Sequence, residues 1–267
     1  HTKSIVLYVQ TIGDARSFLS AVREVALSKP IILLKAGQTE AAARAARATP
    51  YYAGYDSCKD SVMSAALRRS GVLRVDDVES LFAMADALGK QPRPEGSRLT
   101  IVSNAAGPGI LATDALVNGG GRLADLTGDT METLNGFLPF YWNHTNPLDI
   151  VADADPNRYA RTVEAVMADA NTDGALVILT PQVMTDPTGT ARAIAAITDF
   201  HGKPLLATWM GGHDVAEGKT ILNENNIPVL PYPDSAARVF DAMWRYNYVL
   251  SALYETPTFH PDDGENV

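Results

Sequence analysis

The sequence predicts an α/β protein made of two doubly wound parallel sheets. Three observations carry this: strand-length runs that are almost wholly apolar, amphipathic helical patterns alternating with them, and a proline- and glycine-rich break near the middle. Continuous apolar runs suit parallel strands covered on both faces. Strand–helix alternation is the pattern of βαβ units.

In chain order, strands are expected at 4–9, 30–35, 99–103, 122–126, 174–179 and 204–208. Helices are expected at 15–27, 61–70, 78–88, 157–168, 191–200 and 235–253. Asp76 and Asp155 stand where helix N-caps belong, and Pro156 suits a first helical turn. The stretch GKQPRPEGSR, residues 89–98, separates a finished helix from a fresh strand. It divides the chain into a first subdomain, 1–91, and a second, 98–257. The first opens directly on a strand and offers few strands for a sheet, so it reads as N-terminally truncated.

With 267 residues, 46% of them hydrophobic, the chain can bury a substantial core. A net charge of -9 argues against nucleic acid as a partner. Cys58 is the single cysteine, which excludes an internal disulfide framework and a cysteine-based zinc site. No apolar run approaches the ~20 residues of a membrane helix, and no signal peptide is visible. These features predict a soluble, cytoplasmic protein with no membrane partner.

The stretch LTIVSNAAGPGILATDAL, residues 99–116, passes from a strand through a turn with almost no side-chain bulk into a helix. Glycines at such a turn let a ligand approach the backbone, and the unpaired N–H groups of the helix start face an anion. The turn is neither a Walker A sequence nor GxGxxG. A tight βα turn without a ligand has the same appearance.

Around that turn lie KPIILLKAGQTEAAARAA (29–46), ALRRSGVLRVDDVESLFAMADAL (66–88), NPLDIVADADPNRYARTVEAV (146–166), VILTPQVMTDP (177–187) and PLLATWMGG (204–212). In content and order these blocks resemble the NDP-forming, or ADP-forming, acyl-CoA synthetases, a family related to succinyl-CoA synthetase. The resemblance covers roughly residues 2–257. It implies two flavodoxin-like CoA-ligase subdomains, which in that family lie between a CoA-binding domain and an ATP-grasp domain. Coenzyme A and ATP/Mg would then be held by those flanking domains of the same polypeptide or complex, with none bound within this chain. The other partner would be a small carboxylic acid, and the assembly an oligomer.

The family passes phosphate from ATP to a histidine, then to the acid, and exchanges it for CoA. The phosphohistidine is held between two helix starts. Asn104, Gly107 and Gly109 resemble one of these, and Gly13 with Asp14 in TIGDARSF resembles the other; Asp14 also reads simply as an N-cap. The two loops are predicted to face one crevice. Asp149 in NPLDI resembles a family position beside the glycine loop, or is a carboxylate capping loop N–H groups.

The phosphohistidine belongs in a Ser-His-Thr-Gly loop shortly after the KAG strand. Here ARATPYYAGYDSCKD, residues 46–60, has no histidine, and Thr49, Pro50, Tyr51 or Tyr52 takes the place. A glutamate expected to orient the histidine is Gln10, which keeps hydrogen bonding and loses the charge. His144, His201, His213 and His260 read as loop, surface or tail residues and lack metal-ligand spacing. Trp142, with Tyr141 and Phe140, reads as a packing anchor. The implied function is the central portion of an acyl-CoA synthetase, inactive as an isolated chain. The alternative is a non-phosphorylating regulatory module of the kind found in protein lysine acetyltransferases.

Overall fold

The computed structural model describes residues 2–48 and 60–254. In the first half, β1 (Ile5–Val9), β2 (Ile31–Lys35) and β3 (Val72–Val75) form a parallel sheet in that order. They alternate with α1 (Ala15–Ala26), α2 (Glu40–Arg47), α3 (Asp60–Arg68) and α4 (Val78–Lys90). Central β2 is buried at all five positions, which is why its sequence shows no polar alternation.

The second half holds a parallel sheet in the order β5 (Arg122–Leu123), β4 (Arg98–Ser103), β7 (Gly174–Leu179), β8 (Leu205–Trp209). A two-residue strand, β6 (Leu148–Asp149), shares the β5 edge of β4 further along. The helices are α5 (Ala106–Asn118), α6 (Gly128–Asn135), α7 (Pro156–Ala168), α8 (Pro187–Ala195), α9 (Ala216–Glu224) and α10 (Pro233–Tyr254).

Between β5 and β6 the edge of β4 is closed by a side chain. Asn146 Oδ1 accepts from the Ile101 N–H at 3.0 Å, and its Nδ2 donates to the carbonyls of Leu99 at 2.9 Å and Ala124 at 3.0 Å. A carboxamide has the donor and acceptor of a peptide unit, so it completes the ladder where the main chain is absent.

The two sheets share a core. Ile32, Leu34 and Val75 of the first sheet belong to the same buried cluster as Leu99, Ile101, Leu176, Ile178 and Leu206 of the second. Residues of α4, α5 and α10 complete it, among them Met84, Leu116 and Phe240. A separate cluster on the other face of the second sheet gathers α6, α7, α8 and α9 around Trp142, Tyr159 and Trp209.

Several predicted elements shift. β3, β6, α2, α6 and α9 were not anticipated, and β5 is only two residues long. The cap of α4 is Asp77 rather than Asp76, since Asp77 accepts from the Ser80 N–H at 2.7 Å. α8 starts four residues before the predicted 191, where Asp186 caps it and Pro187 fills its first turn. Asp155 and Pro156 perform those roles in α7, as predicted. Trp142 is buried, but its predicted companions are not: Phe140 is 89% and Tyr141 59% exposed, packed edge-to-face on each other.

Candidate functional site

The strand–turn–helix unit at residues 98–118 ends β4 and begins α5 with almost no interval. Six of the other helices, α1, α2, α4, α6, α7 and α8, begin with a side chain that accepts one of their own N–H groups. At α5 the N-cap is Ala105, which has no such group. The N–H groups of Ala106 and Gly107 fall in the first turn, where no helical acceptor exists, and Pro108 has none to offer.

A Cβ built on Gly107 meets nothing within 4 Å, so the backbone there lies open. Gly109 is small for a different reason: a Cβ would stand 3.1 Å from Pro147 Cβ. Pro147 follows Asn146 through a cis peptide bond. The ladder-closing asparagine and the close approach to α5 thus belong to one short loop.

A cavity of about 110 Å³ opens at this helix start. Ser103, Ala105, Ala106, Gly109 and Ile110 form one side of it, and Asn143, Pro147, Leu148 and Asp149 the other. Asp149 continues the sheet opposite Ser103, and its Oδ1 accepts from the Val151 N–H at 3.0 Å. The cavity draws no lining residue from the start of α1. Of the two unpaired donors at the positive end of this thirteen-residue helix, Ala106 lines the cavity and Gly107 lies beside it in the same first turn; the walls are largely apolar, with one carboxylate at the rim.

The sequence-predicted residues divide. Gly107 and Gly109 lie at the open helix start. Asn104 lies at the same turn, but its side chain is 1% exposed and turned inward onto Thr180. Around Gly13, the Asp14 side chain caps α1, accepting from the Arg16 N–H at 3.0 Å and from the Ser17 hydroxyl. The Ser17 hydroxyl, followed by backbone N–H groups, holds this carboxyl below its usual range. That helix start therefore carries its own anion. Gln10 follows β1 and is half-buried. Thr49, Pro50, Tyr51 and Tyr52 lie outside the described residues, as do Cys58 and His260.

None of the described histidines lines the cavity at the α5 start. His144 Nδ1 is 2.9 Å from Asn135 Oδ1 and its Nε2 3.2 Å from the Phe140 carbonyl, with the ring against Trp142. His201 is exposed and 3.7 Å from Asp199, and His213 begins a short 3-10 turn. Among the described residues, no group of three or more His, Cys, Asp or Glu side chains could hold a metal ion. No helix among them is long and apolar enough to cross a membrane.

Ser103, Asn146 and Thr180 were missed as parts of this site. The NP pair and the serine before Asn104 were visible, but their partners lie 20 to 80 residues away in sequence or depend on the turn itself.

Residues 1–88 match the family model described as the succinyl-CoA ligase like flavodoxin domain, and residues 99–253 match the ligase-CoA domain. The chain is 35% identical over 239 residues to the ADP-forming acetate–CoA ligase II subunit alpha of Pyrococcus furiosus, covering 88% of this chain and 51% of that one. It is 33% identical to the ADP-forming 4-hydroxybutyrate–CoA ligase of Nitrosopumilus maritimus, over 92% of this chain and 35% of the relative. A similar solved structure is the dinucleotide forming acetyl-coenzyme A synthetase 1 of Ca. Korarchaeum cryptofilum in complex with phosphate and ADP. It superposes with a TM-score of 0.84 at 29% identity, over 94% of this chain and 54% of that one. The chain thus spans about half the length of these relatives, or less.

Proposed function

The chain belongs to the family of NDP-forming acyl-CoA synthetases, and on that premise we propose that it is the central CoA-ligase portion of such an enzyme. The overall reaction would join a small carboxylic acid to coenzyme A with conversion of ATP to ADP and phosphate. In this reading residues 1–91 and 98–257 are two subdomains, and the portions that hold CoA and ATP/Mg lie in other segments or subunits. The relatives named as ligases support this over a regulatory acetyltransferase module.

The observation that carries the reading is the open start of α5. A phosphoryl or acyl-phosphate group placed there would accept hydrogen bonds from Ala106 and Gly107, with the helix dipole stabilising its charge. Ile110, Pro147 and Leu148 would line the space beside it and favour a small apolar acyl group. A phosphate leaving group needs just such fixed donors, because charge develops on its oxygen as the acyl bond breaks.

The role differs from the family pattern in one respect. The segment that carries the phosphohistidine elsewhere has none here, and Gln10 stands where an orienting glutamate is expected. The proposed contribution of this chain is therefore anion binding and orientation, without a covalent phosphohistidine of its own.

The test is orthophosphate titration of the chain, followed through the amide signals of Ala106 and Gly107. Saturable shifts at those two are expected. Gly107→Glu places a competing carboxylate in open space and should abolish binding while leaving the fold intact. Unchanged amide signals at tens of millimolar phosphate would contradict the proposal.

A further inference from the structure

We infer that Asn104 is a positioning residue, whose carboxamide replaces a peptide unit at the end of β4 and so fixes the direction of the Ala106 and Gly107 N–H groups. This rests on the reading of the α5 start as a phosphate site, and it assigns Asn104 a role other than contact with the anion.

The β4–β7 ladder pairs Ser103 with Ile178, its last register pair. Beyond it β7 ends at Leu179 and the chain runs on to Thr180, while the main chain of β4 turns away at Asn104 to begin α5. That departure would leave both backbone groups of Thr180 without their ladder partners. The side chain of Asn104 supplies them: Nδ2 donates to the Thr180 carbonyl at 2.8 Å, and the Thr180 N–H donates to Oδ1 at 2.8 Å. A carboxamide carries the donor and the acceptor on separate atoms, spaced as in a peptide unit, so it meets both groups of Thr180 at once.

The neighbouring residues use up the other polar groups of the turn. The Ala105 N–H donates to Ser103 Oγ at 3.1 Å, and that hydroxyl donates to the Ala105 carbonyl at 2.7 Å. The buried Tyr159 hydroxyl donates to the Ile178 carbonyl at 3.1 Å, holding the end of β7. Ser103 and Asn104 are each 1% exposed and Tyr159 is fully buried, while their partners Ala105 and Thr180 are half-buried, so the side chains that root the turn are themselves shielded from water. What remains at the turn is a pair of consecutive N–H groups with no acceptor, on a backbone fixed at its root. Donors aimed this way bind an anion without first having to be ordered.

A purely stabilising hydrogen bond would lower the melting temperature and leave anion affinity alone. The test therefore compares Asn104→Ser with Asn171→Ala. Asn171 donates to the Asp125 carbonyl at 2.8 Å on the loop preceding β7, remote from the α5 start, and serves as a stability control. Orthophosphate affinity is measured by calorimetry on the full chain, with melting recorded for each variant. Asn104→Ser should weaken phosphate binding at least about tenfold, while Asn171→Ala stays within about twofold of the unaltered chain. Equal affinity in folded Asn104→Ser overturns the inference.

Should Asn104→Ser fail to melt cooperatively, amide exchange on the unaltered chain decides. Phosphate should slow exchange at Thr180 and Ala105 as well as at Ala106 and Gly107, because the four are held as one unit. Slowing confined to Ala106 and Gly107 overturns the positioning role while leaving the phosphate site standing. An unaltered chain that binds no phosphate removes the site and this inference with it.

Discussion

Asp241 on α10 is fully buried against the Gly119–Gly121 turn that closes α5, and a Cβ on Gly119 would lie 1.8 Å from its Oδ2. Trp244 Nε1 donates to Oδ1 at 3.1 Å, whereas Oδ2 has no hydrogen-bond partner. Burial pushes this carboxyl up to about 6, against the weaker opposing effects of Trp244 and Arg245.

The first prediction is a stability that falls as pH rises through this range. Below about pH 4 the group is protonated in both folded and unfolded chains. Between about 4 and 6 the folded chain alone keeps the proton, so stability declines until the folded group ionises. A displacement of about two pH units corresponds to roughly 2–3 kcal/mol. Asp241→Asn should remove this component. Denaturant unfolding at pH 4.5 and 7.5 checks it, and an unchanged pH dependence in the variant would contradict the assignment.

The same contact makes Gly119 irreplaceable. Gly119→Ala forces a methyl into the space of the Asp241 carboxylate, an overpacking expected to cost about 1–3 kcal/mol. Gly119→Ala combined with Asp241→Ala should recover much of that loss, since the second change vacates the overlapping atoms. Additive losses in the double variant would show that the contact is not the cause.

At the same end of the second sheet, where β4 pairs with the residue that follows the Gly119–Gly121 turn, Arg98 binds Asp173 through Nε at 2.9 Å and Nη2 at 2.7 Å, and its own N–H adds a third bond at 2.8 Å. Burial raises the Asp173 carboxyl, but the Arg98 hydrogen bonds outweigh it and hold the group below its usual range. Its stabilisation is present above the unfolded value near 4 and is lost as pH falls below it. With Arg98 about a third exposed, the pair is worth about 1–3 kcal/mol. Asp173→Asn should lower stability at pH 7 and flatten its fall between about pH 5 and 3. An equally steep acid limb would contradict this.

Much of the fold was legible because its signals are local. Asp155–Pro156 marks the α7 start within two residues, and β7 is apolar at every position save its leading glycine. The misses are physical too. Arg74 interrupts the run of β3, because it reaches back to Asp60 and Ser64 rather than lying in the core. Two-residue β6 carries no periodicity at all. Asp186–Pro187 repeats the α7 signal and could have placed α8 correctly.

The site was half legible. Glycines at 107 and 109 announced an open helix start, yet they are small for separate reasons, one facing open space and one facing Pro147. Asn104 was named through the family resemblance, which places it at the anion-holding turn without saying where its side chain is bonded. Its real partner is 76 residues away, beyond any spacing rule. Asp14 shows the converse, an acidic residue at a helix start whose carboxylate serves that helix.

The central claim is that this chain presents an anion site without its own phosphohistidine. The most direct measurement is incubation of the chain with labelled ATP and a competent ATP-grasp partner, followed by acid and base treatment of the protein. Phosphohistidine is labile to acid and survives base. No such label is expected on the chain: residues 46–60 contain no histidine, and both ring nitrogens of His144 already face hydrogen-bond partners. Stoichiometric acid-labile, base-stable label at His144 or His213 would contradict it.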